Sequence, residues 1–254
     1  MQILKFKLSV PQGVRLQQAT GSLLHGVLME HIDKDYATAL HEQRLRPYSQ
    51  YLAYNKEENV WDWQLAVLNE QAQQELLAPA WALPNKFLLK HNNVEVEIVD
   101  RKLLPAITYD ELAGKHFLND SKLRYIDLQF VTSCSFKRDG GYVIFPQPEL
   151  LISGLLRKWN IFADSNKLQE RNLVASLCSE IYVADYRMQM QSFPIEGIRI
   201  PAFRGTYRLG IRNNMMANKV LTMLFDYAQY SGIGIKTALG MGGIRTSFLQ
   251  SWKA

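Results

Sequence analysis

Few cysteines and no metal-binding motif are present in this sequence of 254 residues. Cys134 and Cys178 cannot form a disulfide framework, and no CxxC or paired Cys/His spacing marks a zinc site. The acidic residues include no HExxH motif. These absences argue against a disulfide-bonded secreted scaffold and against metal-dependent hydrolysis. They predict a cytoplasmic protein that uses neither a metal ion nor another cofactor.

Long apolar runs are absent as well. No stretch approaches the roughly eighteen apolar residues of a membrane span. The N-terminus alternates apolar and basic residues, from Leu4 and Lys5 to Phe6 and Lys7, and it lacks the continuous apolar segment of a signal peptide. We therefore expect no membrane partner.

Acidic residues become scarce toward the C-terminus. Residues 1–120 contain 12 Lys and Arg against 15 Asp and Glu, whereas residues 121–254 contain 17 against 9. Between residues 198 and 245 there are seven basic residues and one acid, Asp226. Such a region suits a polyanionic partner, because neutralising phosphates releases their counterions. The alternative is a solvated basic surface without a ligand.

The first half of the chain shows a β-α-β-β-α-β order. Leu4, Phe6, Leu8 and Val10 alternate with other residues, which predicts a half-buried strand. Helices are predicted at about 20–32 and 34–43, strands at 48–54, 60–68 and 94–99, and a helix at 70–78 that Pro79 and Pro84 end.

The second half repeats this order more loosely. The patterns predict strands near 125–130, 181–191, 206–212 and 243–248, with helices from Pro148 to Trp159 and at 215–230. Asn119-Asp120-Ser121 is the expected junction. We therefore predict an α+β protein of two tandem ferredoxin-like domains, residues 1–118 and 119–254, with a C-terminal glycine-rich loop.

This loop, residues 232–243, contains five glycines in twelve positions. Glycines at this density indicate positive φ angles or a close approach to another group. Successive N–H groups in such a loop can hold a phosphate. A dinucleotide fingerprint or a P-loop is excluded by order, because those loops follow a strand and open a helix, whereas here the helix comes first. The alternative is a tight helix-to-strand connection.

An arginine-rich strand precedes the loop. Arg208 and Arg212 share one face of the predicted strand, opposite Tyr207, Leu209 and Ile211. Arg204 shares the arginine face if no bulge intervenes. A strand with one apolar and one arginine face favours contact with a nucleic-acid backbone over an ordinary exposed strand.

Two histidines, His25 and His41, lie on or beside the first two predicted helices, and Arg44 and Arg46 follow the second. RNA cleavage without a metal needs a base for the 2′-OH, an acid for the 5′-oxygen and a cation near the phosphorus. Histidine suits the proton transfers because it titrates near neutrality. Structural packing is the alternative role, and we assign it to two other histidines, His91 and His116.

Together these residues resemble the CRISPR repeat-processing endoribonucleases of the repeat-associated RNA-binding superfamily. The loop fits that family's pattern of paired glycines separated by five residues, at Gly232, Gly234, Gly240 and Gly242. Leu-His-Gly at 24–26 and Leu-His-Glu at 40–42 resemble its N-terminal helices. Gly141–Pro146 and the Arg-Ile-Pro-Ala-Phe-Arg-Gly run at 199–205 are similar to the branch found with type III systems.

The resemblance implies metal-free cleavage of precursor CRISPR RNA within each repeat, giving 5′-hydroxyl and 2′,3′-cyclic phosphate ends. It places the acid–base histidine at His41. The family's tyrosine and lysine are missing, because Met29 stands at the tyrosine position and arginines follow His41. We therefore take His25 or Tyr36 as the partner and Arg46 as the cation.

The RNA-binding candidates lie in the second half. They are Arg204, Arg208, Arg212, Gly232, Gly234, Lys236, Gly240, Gly242 and Arg245.

CRISPR repeat RNA is the expected partner of this protein. Transient contact with a type III interference complex is a further expectation, and the protein is expected to be a monomer or a homodimer. Two other interpretations are an inactive protein that only holds repeat RNA and a structural subunit of an interference complex. The histidine pair argues against the first, and the lack of long inserted loops argues against the second.

Overall fold

The computed structural model describes residues 1–90, 93–118, 123–195 and 197–251. Its first half contains a five-stranded antiparallel sheet of order β2-β3-β1-β5-β4. The strands are β1 (Gln2–Ser9), β2 (Tyr48–Asn55), β3 (Val60–Val67), β4 (Lys86–Leu89) and β5 (Val94–Leu103). Without β4, which pairs only with β5, the order β2-β3-β1-β5 is that of a ferredoxin-like domain.

Helices cover one face of this sheet. They are α1 (Thr20–His31), α2 (Lys34–Glu42) and one further helical segment. This segment consists of α3 (Glu70–Ala72), a π-helical turn (Gln73–Leu77) and α4 (Ala78–Trp81). Asp33 is the N-cap of α2, and its side chain accepts hydrogen bonds from the N–H groups of Asp35 and Tyr36. Apolar residues of the strands and helices, such as Leu4, Leu28 and Leu65, form one core.

The expectation that Pro79 ends the third helix was wrong. Pro79 lies in the first turn of α4, and the helical segment continues to Trp81. A proline is tolerated in the first turn of a helix because no intrahelical bond needs its N–H there. The π-helical turn just before it marks the irregularity in the hydrogen-bonding pattern.

The second half contains a four-stranded antiparallel sheet of order β11-β6-β10-β9. Its elements are α5 (Tyr109–Phe117), β6 (Tyr125–Cys134), β7 (Phe136–Arg138), β8 (Gly141–Val143), α6 (Pro148–Phe162), α7 (Leu173–Ser179), β9 (Ile181–Ile195), β10 (Ile198–Ile211), α8 (Met215–Ser231) and β11 (Ile244–Leu249). This is again the ferredoxin-like order, so the predicted tandem fold is confirmed. Strand β10 begins well before the predicted residue 206 and pairs along β9 in a long hairpin.

Helix α5 packs against the second half of the molecule, although it precedes the predicted junction. Tyr109 and Leu112 lie in the same core as Trp159 and Tyr227. The Tyr109 hydroxyl also donates to the Leu68 carbonyl, which ties α5 to the end of β3. The junction Asn119-Asp120-Ser121 lies outside the described residues, and the boundary at residue 118 stays a prediction.

Candidate active site and RNA interface

The two predicted histidines are brought together by the turn between α1 and α2. The His25 and His41 ring centroids lie 6.2 Å apart, with the ring planes at 73°. His25 lies in the middle of α1 and His41 in the last turn of α2. The Asp33 cap fixes the start of α2 and so sets how the two helices meet. The sequence distance of sixteen residues is thus closed by one short turn.

The surroundings of the two rings differ. His25 is buried, and its Nδ1 lies 2.8 Å from the Tyr48 hydroxyl oxygen. Burial lowers the pKa of His25 to about 4, with smaller contributions from Arg46 and from His41. His41 is exposed. One histidine is therefore held neutral inside the protein, and the other faces solvent.

Arg46 and Tyr36 complete the predicted cluster. The half-buried Arg46 donates from Nε to the Leu40 carbonyl at 3.1 Å, which ties its cation to the end of α2. Tyr36 is buried, and its hydroxyl has no hydrogen-bond partner within the described part of the chain. Burial raises the pKa of Tyr36 to about 12, and Glu75 adds to the shift. A neutral, enclosed phenol of this kind is a poor candidate for proton transfer.

The sequence interpretation missed Tyr48. Its side chain is almost fully buried at the start of β2 and stacks beside His25, with ring centroids 6.2 Å apart. The available signal was the alternation of Tyr48, Gln50 and Leu52, which places Tyr48 on the face of β2 that the helices cover. Met29 packs against the core of the first half.

The glycine-rich loop is a packed connection between α8 and β11. Gly232, Gly234, Gly240 and Gly242 all have positive φ angles. A Cβ on Gly242 would lie 1.9 Å from the Ile233 carbonyl oxygen. Seven of the loop's N–H groups donate within the protein; among them, Ile233 donates to Gly242, Ile235 to Ser135 and Gly242 to Ser133. These contacts fit the tight connection considered above, and phosphate binding by the loop stays a prediction.

The loop contacts the histidine-bearing helix. Gln50 donates from Nε2 to the carbonyl of Gly21 at 3.0 Å and to the carbonyl of Ala238 at 2.9 Å. A Cβ on Gly21 would lie 2.9 Å from Cα of Gly240, so the two backbones touch. Since Gly21 is one helical turn before His25, the loop adjoins the histidine site.

A buried lysine fixes the start of the loop. Lys158 Nζ donates to the carbonyl oxygens of Ser231 and Gly232 and to the Thr237 hydroxyl, at 2.6, 3.1 and 3.2 Å. These acceptors lie at the end of α8 and inside the loop, so one amine holds both. Lys236, in contrast, is exposed and adopts a left-handed φ of 55°.

The predicted arginines are not equivalent. Arg208 forms a bidentate ion pair with Asp127, at 2.5 Å from Nε and 2.7 Å from Nη2. Arg212 donates from Nε to the Ser179 carbonyl at 3.1 Å. Arg204 is exposed. The register shift between Phe203 and Gly205 comes from extra residues in β6, whereas β10 pairs with β9 without interruption from Arg204 to Arg208, so Arg204 shares the face of Arg208.

Arg245 lies at a cleft between the two halves. It is exposed on β11 and lines a cleft of about 340 Å³ together with Lys5 and Lys102 of the first sheet. Burial lowers the pKa of Lys5, and the nearby Arg245 lowers it further. The cleft is also lined by Lys7 and by the carboxylates of Glu58, Asp62 and Asp100, so most of its positive charge is balanced within the protein.

His116 has a structural role, as expected, but it has a specific partner. Its Nε2 lies 2.8 Å from Oδ2 of Asp226, which Lys115 also contacts at 2.6 Å. Burial raises the pKa of Asp226, but the bonds from His116 and Lys115 outweigh burial and leave the pKa below its ordinary value. Asp226, the one acid between residues 198 and 245, is therefore bonded to His116 and Lys115 within the protein. His91 lies outside the described residues.

Among the described residues, no group of three or more His, Cys, Asp or Glu side chains is placed to hold a metal ion. None of the helices in the described ranges is long and apolar enough to cross a membrane.

The structure thus places a histidine pair next to a glycine-rich helix-to-strand loop, on two ferredoxin-like domains. Residues 128–244 match the family model of the CRISPR-associated endoribonuclease Cas6. A Cas6 endoribonuclease of Streptococcus thermophilus is 29% identical over 87% of this chain and 88% of its own length. One from Mycobacterium tuberculosis is 29% identical over 89% of this chain and 71% of its own. This chain is therefore similar to Cas6 endoribonucleases over most of its length.

Solved structures confirm the fold. A Cas6 product complex superimposes with a TM-score of 0.77 at 21% identity, covering 97% of this chain and 98% of the other. Thermus thermophilus Cas6 superimposes with a TM-score of 0.72 at 19% identity, covering 97% and 98%.

Proposed function

We propose that this protein cuts precursor CRISPR RNA within its repeats, without a metal ion, and leaves a 5′-hydroxyl and a 2′,3′-cyclic phosphate. The observation that carries the proposal is the contact between His41 and His25 beside the glycine-rich loop. The relatives named above are endoribonucleases, which supports the same reaction class.

The reaction needs two proton transfers. A base removes the proton of the 2′-OH, the 2′-oxygen bonds to phosphorus, and the 5′-oxygen leaves as it accepts a proton from an acid. His41 is the exposed group suited to proton transfer, and Arg46 is the cation nearest the pair that can stabilise charge on the phosphorane. His25 and Tyr36 remain as partners, with Tyr36 disfavoured by its enclosed hydroxyl.

RNA binding is assigned to the second half and to the cleft at Arg245. Arg204, Lys236 and Arg245 present exposed cations. Arg208 and Arg212 lie on the same sheet but already contact Asp127 and Ser179. Gly232, Gly240 and Gly242 are buried, so they support the loop's shape, and the half-buried Gly234 is more accessible.

The assembly of the protein forms part of the proposal. We place it in the cytoplasm, as a monomer or homodimer of the type III branch, in transient contact with an interference complex. Two alternative functions are holding repeat RNA without cutting it and forming a structural subunit of such a complex. The side-by-side histidines favour cleavage over both.

The test is single-turnover cleavage of labelled repeat RNA in excess EDTA. We expect cleavage to continue and His41→Ala to slow it by about 10²–10⁴-fold, the usual contribution of one acid–base group. RNA affinity is expected to stay close to wild type, because the ring adds little to phosphate attraction. A deoxy sugar at the cut site is expected to abolish cleavage. Loss of cleavage on chelation, with recovery on adding magnesium, contradicts metal independence.

A further inference from the structure

The Tyr48–His25 contact is the most enclosed polar contact of the histidine site. Tyr48 is 1% exposed and His25 8% exposed, and the hydroxyl oxygen lies 2.8 Å from Nδ1. Inside a protein each buried donor and acceptor needs a partner, since an unpaired one costs about 1–3 kcal/mol. The contact therefore has a direction that can be deduced from the partners available.

Two arrangements are possible for a neutral histidine. In the first, Tyr48 donates its hydroxyl hydrogen to Nδ1 of His25. In the second, Nδ1–H donates to the hydroxyl oxygen, and the hydroxyl hydrogen must find another acceptor. Within the described residues His25 is the only hydrogen-bond partner of the Tyr48 hydroxyl. The neighbouring Tyr36 hydroxyl bonds neither to Tyr48 nor to His25. The first arrangement gives the Tyr48 hydroxyl hydrogen an acceptor, whereas the second leaves that hydrogen unpaired.

We propose that Tyr48 is a positioning residue whose hydroxyl donates to Nδ1 of His25, fixing His25 as the neutral Nε2–H form, which offers the RNA one N–H donor and leaves proton transfer to His41. An imidazole with its hydrogen on Nε2 cannot accept a proton there. His25 then contributes a fixed hydrogen bond to the reaction, and its proton count does not change. His41 therefore carries out both transfers: it accepts the 2′-OH proton and returns that proton to the leaving 5′-oxygen.

The groups around the ring agree with a neutral His25. Arg46 faces it from the segment after α2 and His41 faces it from α2, and both disfavour a second positive charge on His25. Burial raises the pKa of Tyr48, with Arg46 lowering it and Tyr36 adding to the rise; burial also raises the pKa of Tyr36, and Glu75 adds to that shift. Burial is the largest cause of the lowered His25 pKa.

The catalytic consequence rests on the proposed function. Negative charge develops on the phosphate oxygens as the 2′-oxygen attacks, and a fixed N–H donor in a dry site stabilises that charge. A neutral donor also avoids competing with Arg46 and His41 for positive charge. The tautomer itself is a property of the free protein and does not depend on any cleavage.

The first test is the ¹⁵N spectrum of the histidine rings in the full-length protein without RNA. Because the chain has five histidines, a His25→Asn variant identifies the His25 signals. At pH 7 we expect an unprotonated Nδ1 and a protonated Nε2. Tyr48→Phe is expected to release the ring into a mixture of tautomers. A wild-type signal with hydrogen on Nδ1, or on both nitrogens, overturns the proposal.

The second test is single-turnover cleavage. Tyr48→Phe is expected to slow it by about tenfold, the equivalent of one hydrogen bond of about 1.4 kcal/mol. Its affinity for RNA carrying a deoxy sugar at the cut site is expected to change by less than about twofold, since one hydrogen bond among many phosphate contacts is lost. The matched control is Tyr109→Phe, which removes another buried hydroxyl bond, to Leu68, away from the site. We expect it to leave both the rate and the His25 signals unchanged.

Three results separate the proposal from the proposed function. A Tyr48→Phe rate equal to wild type overturns the positioning role, even if the spectrum confirms the tautomer. A slowed rate with the His25 signals unchanged overturns it as well. If the wild-type protein cuts no repeat RNA, the proposed function fails, while the spectrum still decides the tautomer.

Discussion

His25 and His41 show how the surroundings give two residues of the same type different protonation behaviour. Both are imidazoles on adjacent helices, yet one is buried against a tyrosine and the other faces solvent. Desolvation disfavours the charged form of the first and so removes it from titration near neutral pH. A pair of histidines therefore does not by itself imply an acid and a base.

The lowered pKa of His25 predicts a loss of stability in acid. Unfolding returns the ring to a pKa near 6.5, whereas the folded value is about 4. Between these values the unfolded state binds more protons, so the contribution of His25 is complete above pH 6.5 and is lost as the pH falls toward 4. From pH 7 to pH 5 the free energy of unfolding is expected to fall by about 2 kcal/mol because of this residue.

Urea unfolding of wild type and His25→Asn at both pH values measures that loss. The difference in unfolding free energy between pH 7 and pH 5 is expected to be about 2 kcal/mol smaller in the variant. Equal pH differences in wild type and His25→Asn would contradict a buried neutral histidine.

At residue scale the sequence predicted the pair of His25 and His41 but not the hydrogen bond between His25 and Tyr48. Leu-His-Gly and Leu-His-Glu sit on two successive helices, and Asp33 marks the turn between them, so their proximity follows from local signals. Tyr48 meets His25 across 23 positions and two elements. Such a contact depends on how β2 packs under α1, which no local pattern records.

At the scale of elements, the glycine-rich loop owes its glycines to its own packing. Gly242 has a φ of 67°, its carbonyl accepts from Ile233, and its N–H donates to Ser133. The sequence predicted the helix–loop–strand order and the need for glycine. It could not show that the close partner is the protein's own backbone, because Ser133 is distant in the chain.

Gly242→Ala is expected to destabilise the protein by roughly 3 kcal/mol or more. The new Cβ would overlap the Ile233 carbonyl oxygen, and an L side chain is strained at this φ. Gly13→Ala is the matched control, because Gly13 has a φ of 86° and open space around it. Gly13→Ala is expected to destabilise the protein only through the strain of a side chain at positive φ, by about 1–2 kcal/mol.

Urea denaturation of both glycine variants measures the two costs. If Gly242→Ala loses no more than Gly13→Ala, the loop is not held by backbone contacts, and its glycines serve a ligand instead.

At the scale of the whole molecule, the two halves contribute different groups. The first half carries the histidine site, and the second carries most of the exposed arginines. Gln50 links them, since it bonds both α1 and the loop and is itself held by Trp63 through a bond of 2.6 Å. The sequence predicted the uneven charge, but only the fold shows which arginines face solvent and which pair internally.

The last prediction concerns those exposed arginines. Arg204 and Arg245 are exposed, whereas Arg208 is compensated by Asp127. Replacing the first two by alanine is expected to lower the slope of log affinity against log salt by about 1.4–1.8, the value for two phosphate contacts. Filter binding of RNA with a deoxy sugar at the cut site measures the slope. The control, Lys56→Ala with Lys86→Ala, removes the same charge from exposed positions in the first half. Equal slopes for the two double variants would mean that net charge, and not a defined RNA surface, governs binding.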